Sequence, residues 1–99
     1  MEYRDNFENE VLTMYLSGRI TADNAEELEN GVMHGLEEYK PSRVTVDLAE
    51  TEYISSAGLR VIMKIVKMDI KVDLINAGDE IYEILDMTGF TRMTEVGRK

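Results

Sequence analysis

Residues 11 to 75 switch repeatedly between two hydrophobic periods, and that switching constrains the fold more than any other feature. Leu12, Met14 and Leu16 alternate with Val11, Thr13 and Tyr15, the two-residue period of a strand over Val11 to Ser17. A shorter strand over Glu2 to Phe7 is expected before it, with Glu8-Asn9-Glu10 as the turn of a hairpin. Gly18 ends the strand, and Thr21 can cap a helix running to Tyr39, in which Ala25, Leu28, Val32 and Leu36 recur at helical spacing with Met33 on the flank. Lys40-Pro41-Ser42 breaks that helix, because proline disfavours helical geometry in the residue before it. Arg43 to Leu48 alternates again, with Val44, Val46 and Leu48 on one face. A helix from Ser56 to Met68, a strand from Lys71 to Ile75 and a third helix carrying Ile81, Ile84 and Leu85 come next. Gly89 stands where a left-handed helix end is expected, and Thr91 to Val96 can add a short strand.

Strands that alternate with helices predict an α/β domain with mostly parallel strands. The expected architecture is an N-terminal β-hairpin followed by alternating α and β elements. It has a four- to five-stranded sheet and about three helices. The strands alternate and are not continuously apolar, so helices should cover one face more fully than the other. The polar face bearing Thr45, Asp47 and Asp73 should be partly open. A chain of 99 residues suits one domain over 1–99, long enough to bury a core without staples.

Composition removes several classes of function. There are no cysteines, which excludes disulfides, thiol catalysis and zinc–thiolate sites. No stretch approaches the roughly 18 consecutive apolar residues of a membrane span. Met1-Glu2-Tyr3-Arg4-Asp5 lacks the basic start and apolar run of a signal peptide, so a cytoplasmic location is expected. A net charge of -9 makes nucleic acid and anionic membrane poor partners. The charge is uneven: Asp23, Glu26, Glu27, Glu29, Glu37 and Glu38 fall in the first helical segment without a Lys or Arg, whereas Arg60, Lys64, Lys67 and Lys71 succeed one another around the second. His34, the only histidine, reads as a surface residue of the acidic helix. No catalytic set, metal-ligand set or cofactor fingerprint is found, so no enzyme, metal or cofactor is expected.

The most informative stretch runs from Val44 to Met63. A strand ends at Leu48, a polar loop comes after it, Tyr53 and Ile54 turn back towards the core, and Ser55-Ser56 opens a helix. Serine is favoured there because its hydroxyl oxygen accepts a free N–H of the first turn. Gly58 inside the first turn costs up to about 1 kcal/mol relative to alanine. Something close-packed must therefore require a missing side chain, either another backbone or a partner. Asp47-Leu48 and Ile54-Ser55-Ser56-Ala57-Gly58-Leu59-Arg60-Val61 together resemble the signature of the STAS family, named for sulfate transporters and anti-sigma-factor antagonists. Leu16-Ser17-Gly18-Arg19-Ile20 followed by Ala25-Glu26-Glu27-Leu28 is a second, weaker likeness, and the resemblance extends from about residue 11 to residue 90.

The resemblance implies a partner switch. In antagonists of this type an anti-sigma factor that is itself a serine kinase phosphorylates a serine at the head of the second helix. Only the unmodified antagonist binds that kinase and frees the sigma factor. The phosphoacceptor position falls on Ser56, and Ser55 stands where many phosphorylated members carry Asp. The expected partner surface comprises Ser55, Ala57, Gly58, Arg60, Val61 and Ile65. Its apolar part depends on placing Leu59 at the centre of the buried stripe with Ile62, Met63 and Val66. That choice leaves Val61, Ile65 and Met68 as a second apolar stripe that either docks a partner or packs under a neighbouring helix. Two other readings keep the fold: a non-switching scaffold or accessory subunit, stressosome-like or associated with a lipid transporter, and a module that binds a nucleotide or lipid. The chain is expected to be a monomer or a weak homodimer.

Overall fold

The structure, a computed structural model, describes residues 1–99. Strands β1 (Glu2–Glu8) and β2 (Val11–Ile20) form the antiparallel hairpin, joined by Asn9 and Glu10. Both turn residues have positive φ, 52° and 65°, as a two-residue hairpin turn of matching twist requires. Gly18 does not end β2. It adopts φ 82° at a register shift, and the strand continues to Ile20. Before the bulge β2 pairs with β3 (Arg43–Asp47); after it, β2 pairs with β4 (Thr51–Ile54). A bulge bends a strand and re-aims the residues beyond it, which lets one strand serve two partners.

Helix α1 spans Ala25–Tyr39, α2 Ser56–Val66, α3 Asp79–Met87 and α4 Phe90–Met93, with β5 at Lys71–Ala77 and β6 at Glu95–Arg98. The six strands are ordered β1-β2-β3-β5-β6, with β4 paired to β2. Each parallel step from β2 to β3, β5 and β6 moves the same way across the sheet. Right-handed crossovers taken in one direction place every connecting helix on one face. The core agrees: Leu12, Met14, Val44, Val46, Val72 and Leu74 point towards Leu28, Val32, Ile62, Ile65, Ile81, Leu85 and Phe90 in one buried cluster. On the opposite face the registered rows Thr13–Thr45–Asp73 and Tyr15–Asp47–Ile75 are half-buried, as the alternation implied.

Several boundaries differ from expectation. Thr21 does not cap α1. Its N–H donates to Asn24 Oδ1 at 2.9 Å, and Asn24 Nδ2 reaches back to Arg19 O at 3.0 Å, so these residues form a turn before a helix that starts at Ala25. The second helix stops at Val66, two residues early. Gly89 does take positive φ (91°), but the chain then enters the single-turn α4 before forming β6. The extra strand β4 escaped notice because its four residues are buried only at the two ends, Thr51 and Ile54, which is no alternation at all. No helix is long and apolar enough to cross a membrane.

Candidate functional site

The head of α2 is fixed from two directions. Ser55 N–H donates to Ile20 O at 2.8 Å, tying the start of the helix to the end of β2. Ser55 has the extended backbone of a cap residue (φ -78°, ψ 171°), and its Oγ accepts the Gly58 N–H at 3.1 Å. Such a cap contributes about 1 kcal/mol. Ser55 O in turn accepts the Leu59 N–H at 2.9 Å. Ser56, the first residue of the helix, is exposed, and the capping role has been taken by its neighbour.

Gly58 is buried against the protein's own core. A Cβ there would lie 2.6 Å from Ile20 Cγ2 and 3.0 Å from Ile54 Cγ2. The missing side chain that the sequence demanded is explained by two isoleucines, neither a backbone nor a partner. This contact also sets the rotation of the helix. Gly58, Val61, Ile62 and Ile65 face the sheet, at spacings of three, four and seven, while Leu59, Met63 and Val66 are half-buried flanks.

That rotation corrects the expected docking stripe. Val61 and Ile65 are only 4% and 3% exposed, so their side chains belong to the core, and Gly58 is buried with them. The periodicity allowed two centres for the buried arc, and the close approach of Gly58 to Ile20 selects the one containing Val61 and Ile65. The fully accessible residue of the expected surface is Arg60, with Ser55 and Ala57 half-buried, and the expected phosphoacceptor Ser56 is exposed beside them.

A shallow groove runs between α1 and α2 from this head. Ala25, Glu26 and Glu29 form one wall; Ala57, Arg60, Val61 and Lys64 form the other. Lys64 Nζ closes it further along by meeting Glu29 Oε2 at 2.8 Å. On the strand side, the Arg19 guanidinium lies 4.6 Å from the centre of the Tyr53 ring, and the two residues are registered across β2 and β4. Tyr53 is 40% exposed, a large aromatic beside the helix head. Neither Arg19 nor Tyr53 was expected at the site: Ile54 turns into the core as expected, but Tyr53 does not, and the unforeseen β2–β4 pairing sets it beside Arg19.

A family model for the STAS domain matches residues 3–99. The chain belongs to the STAS domain family. A curated relative, BtrV of Bordetella bronchiseptica, provisionally named an anti-sigma factor antagonist, is 32% identical over 84 residues, covering 81% of this chain and 72% of its own. Among solved structures, an anti-sigma factor antagonist from Mycobacterium paratuberculosis superposes with a TM-score of 0.88 at 17% identity, covering 99% of this chain and 86% of that one. SpoIIAA, a Bacillus cell fate determinant solved in its phosphorylated form, superposes with a TM-score of 0.74 at 9% identity, covering 96% and 90%. At such identities the solved structures establish a shared fold.

Proposed function

We propose that this STAS chain is an anti-sigma-factor antagonist that works in the cytoplasm as a single-domain partner switch, by binding and without catalysis. In its unmodified state the head of α2 docks on an anti-sigma-factor serine kinase and so releases the sigma factor. Transfer of the γ-phosphoryl group of ATP to Ser56 Oγ forms the new P–O bond, breaks the bond to the β-phosphate, leaves ADP and releases the hydroxyl proton to a base of the kinase or to water. The modified head no longer binds.

The observation that carries this reading is the division of labour between the two serines. Ser55 makes the cap, so the exposed Ser56 hydroxyl is not needed to hold the helix and can be modified without loss of the fold. A phosphate adds a charge of about -1.5 to -2 at neutral pH. In the middle of an interface a penalty of roughly 3 kcal/mol weakens binding more than a hundredfold. The name of the Bordetella relative and the existence of a phosphorylated form of SpoIIAA support the same reading.

The test is to capture the tagged protein from its own cells, record its intact mass, and map any added phosphate by peptide fragmentation, with Ser56→Ala in parallel. Phosphate on Ser56 and a co-purifying kinase held only by the unmodified form are the expected results. If Ser56 stays unmodified under every growth condition and the same partners bind regardless, the chain is a fixed scaffold.

A further inference from the structure

Three cations project from the exposed side of α2 and its end: Arg60, Lys64 and Lys67. Lys64 is held by Glu29 across the groove. Arg60 takes part in none of the molecule's ion pairs (His34–Glu38, Arg43–Asp73, Lys64–Glu29) and in none of its cation–π contacts. It lies four residues beyond Ser56 in the same helix, so the two side chains share a face and their backbones are separated by about 6 Å along the axis. Both are exposed, and Arg60 also lines the α1–α2 groove.

Resting on the reading of Ser56 as phosphoacceptor, we propose that Arg60 is the internal counter-ion of the Ser56 phosphate, drawn off the groove when the serine is modified. The planar guanidinium presents paired N–H donors that match phosphate oxygens, an arrangement that is stronger than a pairing of neutral groups. The competing charges around it are few. The first turn of α2 contains no acidic residue. On the facing helix the groove presents Glu26 and Glu29, and Glu29 is already matched by Lys64. On β4 the exposed carboxylate is Glu52. A phosphate close to a dianion, one turn away on the same helix, outcompetes the single carboxylate of Glu26. The consequence for a partner is double. It meets a new negative charge at Ser56 and loses the free cation of Arg60 from the groove.

The test uses full-length protein with phosphoserine installed at position 56 during translation, so that no kinase is needed. Phosphorus NMR tracks the second ionisation of the phosphate in the parent, in Arg60→Gln and in Arg60→Lys. The expected result is a phosphate pKa lower in the parent than in Arg60→Gln by about half a pH unit, a threefold change in proton affinity. Arg60→Lys should keep part of that difference, and high salt should narrow it. The Arg60 Nε–H resonance should shift on phosphorylation and not otherwise. Equal pKa values in the parent and Arg60→Gln, with Arg60 Nε–H unmoved, overturn the proposal. That failure would leave Ser56 intact as phosphoacceptor, and absence of cellular phosphate on Ser56 would leave the measured pairing intact, so the two readings fail separately.

Discussion

Helices α1 and α2 lie on the same face of the sheet, and both use glycine to come close, but the glycines are covered differently. On α1 a Cβ at Gly31 would lie 3.1 Å from the Tyr3 ring, and one at Gly35 would lie 3.0 Å from Asp5 Oδ2. The cover is a partly accessible pair of side chains from the edge strand β1, linked by a 3.1 Å hydrogen bond from the Tyr3 hydroxyl to Asp5. On α2 the cover of Gly58 is the branched carbons of Ile20 and Ile54, both fully buried. The outer faces also differ: α1 presents Glu26, Glu27, Glu37 and Glu38, and α2 presents Ser56, Arg60, Lys64 and Lys67. The difference shows where the molecule tolerates change. Helix α1 rests against side chains that can give way, whereas α2 is clamped at its buried side, one turn from its exposed head.

The sharpest way to break this contrast is Gly58→Ala. Its methyl group would meet a carbon beside the branch point of Ile20, which cannot swing aside, and overpacking of this kind costs about 2 kcal/mol after the gain in helix propensity. The midpoint of thermal unfolding should fall by roughly 10 °C. Gly31→Ala, in contact with a movable tyrosine ring, should change stability by less than about 0.5 kcal/mol because the propensity gain offsets the displacement. Equal losses for the two variants would remove the distinction between the helices.

Next in size is the pair of serines. Ser55→Ala should cost about 1 kcal/mol through the lost cap at Gly58 N–H, and Ser56→Ala should stay within about 0.5 kcal/mol, both read from denaturant unfolding. A comparable loss from Ser56→Ala would mean that its hydroxyl is structural, which would weaken the switch reading directly.

The smallest effect concerns the cover of α1. Burial, the charge of Asp5 and the hydrogen bond to Asp5 hold the Tyr3 phenol above its ordinary pKa of about 10. The folded state therefore keeps a proton that the unfolded chain releases. The contribution to stability is present below about pH 10 and is lost as pH rises above it. Tyr3→Phe should flatten the fall in the unfolding midpoint above pH 10, with the α2 head unaffected. An unchanged alkaline slope would show that the phenol does not couple to folding.

Much of the fold was legible because its signals are local. Alternation marks β2, β3 and β5 wherever one face is buried, and the apolar spacing of Ala25, Leu28 and Val32 marks α1 without reference to any other element. The Ser55–Leu59 motif carried the family resemblance, and the glycine within it, Gly58, signalled a close contact before the contact was known. Positive φ at Gly89 was readable for the same reason, since a left-handed residue after a helix is a local demand.

Strand β4, the last three residues of β2 and the rotation of α2 were not legible. Thr51–Ile54 is a strand only because the bulge at Gly18 turns the end of β2 towards it, and Thr51 Oγ1 donates to Leu16 O at 2.7 Å to seat the pairing. Two apolar arcs on α2 were equally consistent with helical periodicity, and the choice between them fell to the isoleucine that meets Gly58 from a distant part of the chain. The sequence by itself determined the alternation of strands and helices, the family, and the pair of serines at a helix head. Tertiary structure alone decided which serine caps, which face of α2 is buried and which residues flank the exposed hydroxyl. Periodicity is a property of neighbours along the chain, whereas steric exclusion at Gly58 and pairing at Gly18 are set by residues that only folding brings together.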